Sequence, residues 1–316
     1  MDKRAKWTIM LVGDEKMTVV FEQVLILVLF AAVGYLLSSK KIVDPKHTKM
    51  LSALEIYVFL PCTVFNTFSS NFTIDYLKAK YSIVLISAVM LVILAVVTFF
   101  LSKILTKDPY QRYLYTYSMT IPNYGYMGYA LAGSLFGDEV LLNVMMFVIP
   151  LSLLVYTVGY CMLTKTKVSF KRLLNPPLLA VVIGAAAGLL NWTPPSFAGS
   201  MIQKAAACMA PVSMLLTGIV ISEYHLLPLL KNKVNYIVAA LRLLVIPCLA
   251  GAVLVLLKLE IALIPTVIIY SMPCGLNTVV FPRLIGEDCK TGASLALISS
   301  VACCATVPFC IWLFTH

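Results

Sequence analysis

Two stretches set proline, glycine and asparagine inside otherwise apolar sequence. One reads Thr120-Ile121-Pro122-Asn123-Tyr124-Gly125-Tyr126-Met127-Gly128, the other Ser271-Met272-Pro273-Cys274-Gly275-Leu276-Asn277-Thr278. Proline removes a backbone N–H and clashes with the preceding turn, and glycine weakens a helix further. Backbone groups freed in this way cannot face lipid, so such breaks line a cavity enclosed by protein. A broken helix also offers free N–H groups and the positive end of its dipole to an anion. Ser118, Thr120, Asn123, Asn277 and Thr278 add neutral donors and acceptors. The candidate substrate-binding residues are therefore Thr120, Pro122, Asn123, Gly125, Gly128, Pro273, Gly275 and Asn277. The alternative is a pair of proline kinks with glycine packing only.

A few polar residues lie elsewhere in apolar sequence. Arg242 falls about eight residues inside a hydrophobic run, Ala239-Ala240-Leu241-Arg242-Leu243-Leu244. An arginine in hydrocarbon faces a partner or a wet cavity, so it joins the binding candidates. It could equally reach the interface with its head group, or pair with Glu55 or Glu223. Asn66, just after Pro61, lines the same cavity or packs a helix face. Glu55 and Glu22 are the coupling candidates, both near enough to predicted helix starts to be interfacial. His47, His225 and His316 fall in loops or at the chain end, so no buried His–acid constellation supports a hydrolase. The nine cysteines contain no CxxC pair; they read as soft, small hydrophobes, with no disulfide framework and no metal site.

The elements that must position these residues follow from composition. The chain has 316 residues, 61% hydrophobic and 12% charged, where a soluble domain carries about 25% charged residues. Apolar stretches fall at 19–37, 51–68, 81–101, 113–136, 140–163, 174–191, 202–222, 234–257, 261–285 and 292–314. They are long enough to cross a bilayer and do not alternate as barrel strands do, so the expected class is an all-α polytopic membrane protein of ten transmembrane helices. The net charge of +10 sits in short loops, a topology signal rather than a nucleic-acid footprint. The loops after the first, third, fifth, seventh and ninth stretches hold fifteen Lys and Arg against eight on the other side. The positive-inside rule then puts both termini outside the cytosol, in a cell membrane. No small-residue cleavage site follows the first apolar run, which therefore reads as a retained helix, with Met17 an alternative start.

Features recur at nearly one offset. Pro61 answers to Pro211, Pro122 to Pro273, and Leu135-Phe136-Gly137 to Leu284-Ile285-Gly286. Two five-helix halves of opposite orientation are the common plan of secondary transporters. The expected organisation is an N-terminal extension over 1–16, a first repeat over 17–163, a linker over 164–173 and a second repeat over 174–316.

At this point the chain resembles the auxin efflux carrier family of permeases, within the bile acid, arsenite and riboflavin transporter-like superfamily. The resemblance rests on Gly34-Tyr35-Leu36-Leu37, Tyr57-Val58-Phe59-Leu60-Pro61, Asn123-Tyr124-Gly125-Tyr126-Met127-Gly128, Leu135-Phe136-Gly137, Asn175-Pro176-Pro177-Leu178, Ala210-Pro211-Val212-Ser213-Met214 and Met272-Pro273, in family order. It implies that helices 4 and 9 are broken and cross at their breaks, and that a carboxylate is carried by an elevator-like motion. About ten residues join the halves, as in prokaryotic-style permeases. The leading expectation is a secondary carrier of a small organic anion, coupled to protons or sodium, without cofactor or metal, in lipid and with a homodimer allowed. The alternatives are a sodium-coupled carrier of the bile-acid type and a membrane sensor that binds its ligand without moving it.

Overall fold

The computed structural model describes residues 14–45, 48–224, 229–283 and 285–315. Residues 1–13 of the N-terminal extension, His47, His225, His316 and Leu284 of the repeat correspondence lie outside the described residues, while 14–16 form the first turn of the first helix.

Among the described residues the chain is helical. The elements are α1 Asp14–Ser39, α2 Thr48–Asn71, α3 Ile74–Leu105, α4 Pro109–Thr120, α5 Tyr124–Thr164, α6 Pro176–Leu189, α7 Ser196–Ser222, α8 Lys233–Leu256, α9 Leu263–Tyr270, α10 Asn277–Arg283 and α11 Lys290–Thr315. Seven helices are long and apolar enough to cross a membrane: α1, α2, α3, α5, α7, α8 and α11. The apolar α6 is shorter, and the expected fourth and ninth stretches are each divided. Local chemistry sets the starts. Asp108 accepts hydrogen bonds from Tyr110 N at 2.8 Å and Gln111 N at 3.3 Å, with Pro109 in the first turn. Asn175 accepts from Leu178 N at 3.0 Å ahead of Pro176 and Pro177. Side-chain caps of this kind satisfy N–H groups that a helix start leaves open.

Four turns are widened to π-type geometry: Glu55–Phe59, Tyr124–Gly128, Val155–Gly159 and Leu241–Val245. Pro61 and Pro247 explain the first and last. A proline ring collides with the carbonyl four residues earlier, here residues 57 and 243, and both lie inside the widened turns.

Helix α5 is bent at Gly137, φ 76°, into arms 124–136 and 138–164. Gly286, in the connection between α10 and α11, has φ 73°. These two glycines are the pair that the sequence aligns, and both adopt a left-handed conformation that a Cβ would disfavour.

The helices pack in two groups, which meet where α11 runs along α1 and where α5 touches α2 and α7. In one, α1 lies along α7, α2 along α6, and α7 also contacts α2. Gly34 approaches the Leu215 backbone, and Gly218 the backbone of Ala31 and Tyr35, so closely that neither position has room for a Cβ. Small residues at helix contacts are how membrane bundles bring backbones together. In the other group α3 packs on α4 and α5, α9 on α5 and α8, and α11 on α8 and α10. The connections after α5, α7 and α10 share one face of the bundle: Lys165 pairs with Glu287 and Arg283 with Glu223.

Candidate binding site

Helix α4 stops at Thr120 because Pro122 can supply no N–H to continue it. Ile121 is extended, φ −106° and ψ 111°, and Asn123 has φ −77° and ψ 61°. Helix α9 stops at Tyr270, and residues 271–276 intervene before α10. The two interruptions touch. Pro122 and Cys274 form an isolated antiparallel bridge, and Asn123 N donates to the Pro273 carbonyl at 2.8 Å. Gly275 lies against Pro122 and Asn123, its Cβ position 3.5 Å from the Pro122 carbonyl oxygen.

Side chains tie the same place together. Asn277 Nδ2 donates to the Tyr117 hydroxyl at 2.9 Å, linking the start of α10 to α4. Cys274 N donates to Ser299 Oγ of α11 at 3.0 Å, and Thr278 Oγ1 to the Gly275 carbonyl at 2.9 Å. Thr120 shares a hydrogen bond with Thr98 at 2.7 Å. The Asn123 carbonyl accepts from Met127 N and Gly128 N, starting α5. Its side-chain amide, in a residue 5% exposed, makes no hydrogen bond to the described residues. Gly128 packs under Ile269 and Met272, whereas a Cβ at Gly125 would meet nothing within 4 Å. The interrupted region therefore opens on the Gly125 side.

Around it stand phenols not singled out from sequence. Tyr117, Tyr124, Tyr126 and Tyr129 each lie near Tyr156, and Ser152 Oγ donates to the Tyr124 hydroxyl at 3.1 Å. The available signal is the density of tyrosine from 110 to 129, seven in twenty residues. A cavity of about 310 Å³ adjoins the region between α3, α4 and α5, with Phe99, Phe100, Thr120 and Ile121 in its wall. Asn123 and Asn277 are not in that wall, so the cavity is a neighbour of the polar region.

Arg242 lies in the π-type turn of α8, 0% exposed. It neither reaches an interface nor pairs with an acid. Its Nη1 donates to the Met119 carbonyl at 3.3 Å and Nη2 to the Ile269 carbonyl at 3.1 Å. These are carbonyls of the last turns of α4 and α9, which no helix continues. A cation there gives the Met119 carbonyl a donor, gives the Ile269 carbonyl a second one beside Met272 N, and opposes the negative ends of two helix dipoles. Glu223, the alternative partner, is taken by Arg283 at 2.8 Å.

Glu55 differs from its expected placement. Helix α2 begins at Thr48, so Glu55 lies about two turns inside it, 0% exposed, with neither carboxylate oxygen hydrogen-bonded. Glu22 is exposed on α1 and Asn66 is half-buried on α2; neither contacts the interruptions through a hydrogen bond among the described residues. Among those residues no three His, Cys, Asp or Glu gather as metal ligands.

A helical chain with several bilayer-length apolar helices defines a polytopic membrane protein. A family profile described as membrane transport protein matches residues 19–169 and 161–311. The chain belongs to this family, the auxin efflux carriers, a family of membrane transporters and not of enzymes. Among curated proteins, none matches the chain.

Proposed function

We propose that the protein is a secondary active carrier of a small organic anion, a mono- or dicarboxylate, working by alternating access around a midplane site where the two interrupted helices cross. The observation that carries this reading is the joining of the interruptions, Asn123 N to the Pro273 carbonyl at 2.8 Å. Paired breaks in corresponding segments of two halves are the feature that marks a transporter's site. The chain would then have ten spans in two inverted halves, 17–163 and 174–316, in a cell membrane with both termini outside the cytosol.

The chemistry suits a carboxylate. The first turn of α5 carries N–H groups without partners within the helix, and Gly125 leaves room beside them. Asn123 supplies an amide, and the Tyr117–Asn277 pair and the neighbouring phenols supply further neutral donors. Arg242 is engaged by two carbonyls, so its part is to fix the ends of α4 and α9 and lend the site positive potential. The group α1, α2, α6 and α7 would stand still while the group holding the interruptions slides against it.

The test is flux of labelled succinate and labelled lactate into proteoliposomes, probing dicarboxylates and monocarboxylates. The expected result is uptake of at least one by wild type and its loss in Asn123→Ala and Asn277→Ala, both still inserted and monodisperse. Wild-type flux in both variants would remove the site assignment, and no flux of any carboxylate by folded wild type would remove the carrier.

A further inference from the structure

We propose that Glu55 is the residue that binds the coupling proton, and that its carboxyl does so at the boundary across which the two helix groups slide. This deepens the carrier reading above and rests on it.

The placement is specific. Glu55 opens the π-type turn of α2, in the group formed with α1, α6 and α7. That turn packs on α7, and α7 also packs on the π-type turn Tyr124–Gly128 just beyond the first interruption. Tyr126 of that turn lies within electrostatic reach of the Glu55 carboxyl. Tyr126 and Leu51, one turn before Glu55, both pack on one apolar cluster that includes Leu276 of the second interruption. The acid therefore belongs to one helix group and looks onto the interrupted segments of the other. π-type turns recur at functional sites because they redirect one side chain out of the helical register.

Both Glu55 oxygens are buried without a hydrogen-bond donor. A carboxylate held in that way requires a bound proton or an incoming cation. Among the described residues the elements packed on its turn bring no buried countercharge: α6 contains no ionisable side chain, and on α7 Lys204 and Cys208 are exposed. On its own helix Lys49 and Tyr57 are exposed and Cys62 is half-buried, and Tyr126 is a phenol. A lone carboxyl with no second acid beside it fits a single proton better than a metal cation, which takes several oxygen ligands. Protonation forms one O–H bond on a carboxylate oxygen as one O–H bond of a hydronium breaks, releasing water; the proton returns to water when sliding uncovers the turn on the opposite side. A membrane acid that is neutral while covered and open to water at the ends of the motion makes the motion depend on the proton.

Two measurements test this. Infrared difference spectra of purified protein in lipid, acidic against alkaline, are expected to contain the carbonyl stretch of a protonated carboxylic acid in wild type. Glu55→Gln should lose that band and Glu55→Asp should shift it. A full wild-type band in folded Glu55→Gln overturns the proposal. In proteoliposomes carrying an internal pH dye, an inward succinate or lactate gradient is expected to bring protons with it. Uptake should rise as external pH falls, by up to about tenfold per pH unit for a single proton. Glu55→Gln should bring the proton-to-anion ratio toward zero, and Glu55→Asp should restore it in part. Equal proton movement in Glu55→Gln, or a wild-type requirement for sodium in place of protons, overturns the coupling role. An intact infrared band together with no carboxylate flux overturns the carrier reading and leaves the proton site standing.

Discussion

Glu55 of α2 and Arg242 of α8 are the two Asp, Glu, Lys or Arg side chains buried among the described residues, each 0% exposed and each in a π-type turn a few residues before a proline. Their surroundings part there. Arg242 reaches two backbone carbonyls within its own helix group. Glu55 has no partner for either oxygen and looks across to the other group. A buried charge held by fixed backbone acceptors is a fastener, even with its Nε left without a partner as in Arg242, and one with no acceptor or donor at all is available to something that comes and goes. The same local device, a turn widened to clear a proline, serves both.

The contrast can be broken by substitution, and the largest effect is expected at the fastener. Arg242→Met strands the Met119 carbonyl, leaves the Ile269 carbonyl with Met272 N alone, and should cost about 2–3 kcal/mol, seen as a clear fall in the thermal midpoint in detergent. Arg242→Lys should recover only part of it, since an ammonium lacks the planar fork that reaches two acceptors. Ser299→Ala removes the acceptor of Cys274 N and should cost about 1–2 kcal/mol in the same assay. Glu55→Leu is expected to leave stability within about 1 kcal/mol of wild type or to raise it, because a buried polar group without partners adds little to folding. A loss there as large as for Arg242→Met would show that the carboxyl has a structural partner and would erase the contrast. Glu223→Gln, which cuts the half-exposed pair with Arg283, should shift stability by less than about 1 kcal/mol and serves as the reference for an ordinary ion pair.

The sequence reading located the interruptions well because proline and glycine act locally. Pro122 ends α4 within two residues, and Gly137 bends α5 in the way its aligned partner Gly286 turns the chain before α11. The lengths of the pieces were less legible. The stretches 113–136 and 261–285 read as single runs, because hydropathy does not sense a break in hydrogen bonding, and 174–191 gives a helix of only 14 residues. The depth of Glu55 was misjudged because the first turn of α2, Thr48-Lys49-Met50-Leu51, is too polar to count as apolar sequence yet is helical. The partners of Arg242 were out of reach altogether. They are carbonyls, and a carbonyl left open by a helix end is created by the fold and has no residue type to announce it. The same applies to Tyr117, whose hydroxyl gains meaning only from Asn277, 160 positions away.

The seam between Pro122–Asn123 and Pro273–Cys274 is made of main-chain atoms. Any residue with a peptide N–H could stand at 123 and keep that hydrogen bond, so the architecture of the crossing is separable from the identity of its side chains. On the carrier reading proposed above, cargo preference would then be free to change at 123–126 and 277–278 while the frame that presents those positions is kept. For protein engineering, this seam is the part to leave alone, and the side chains around it are the part to rewrite.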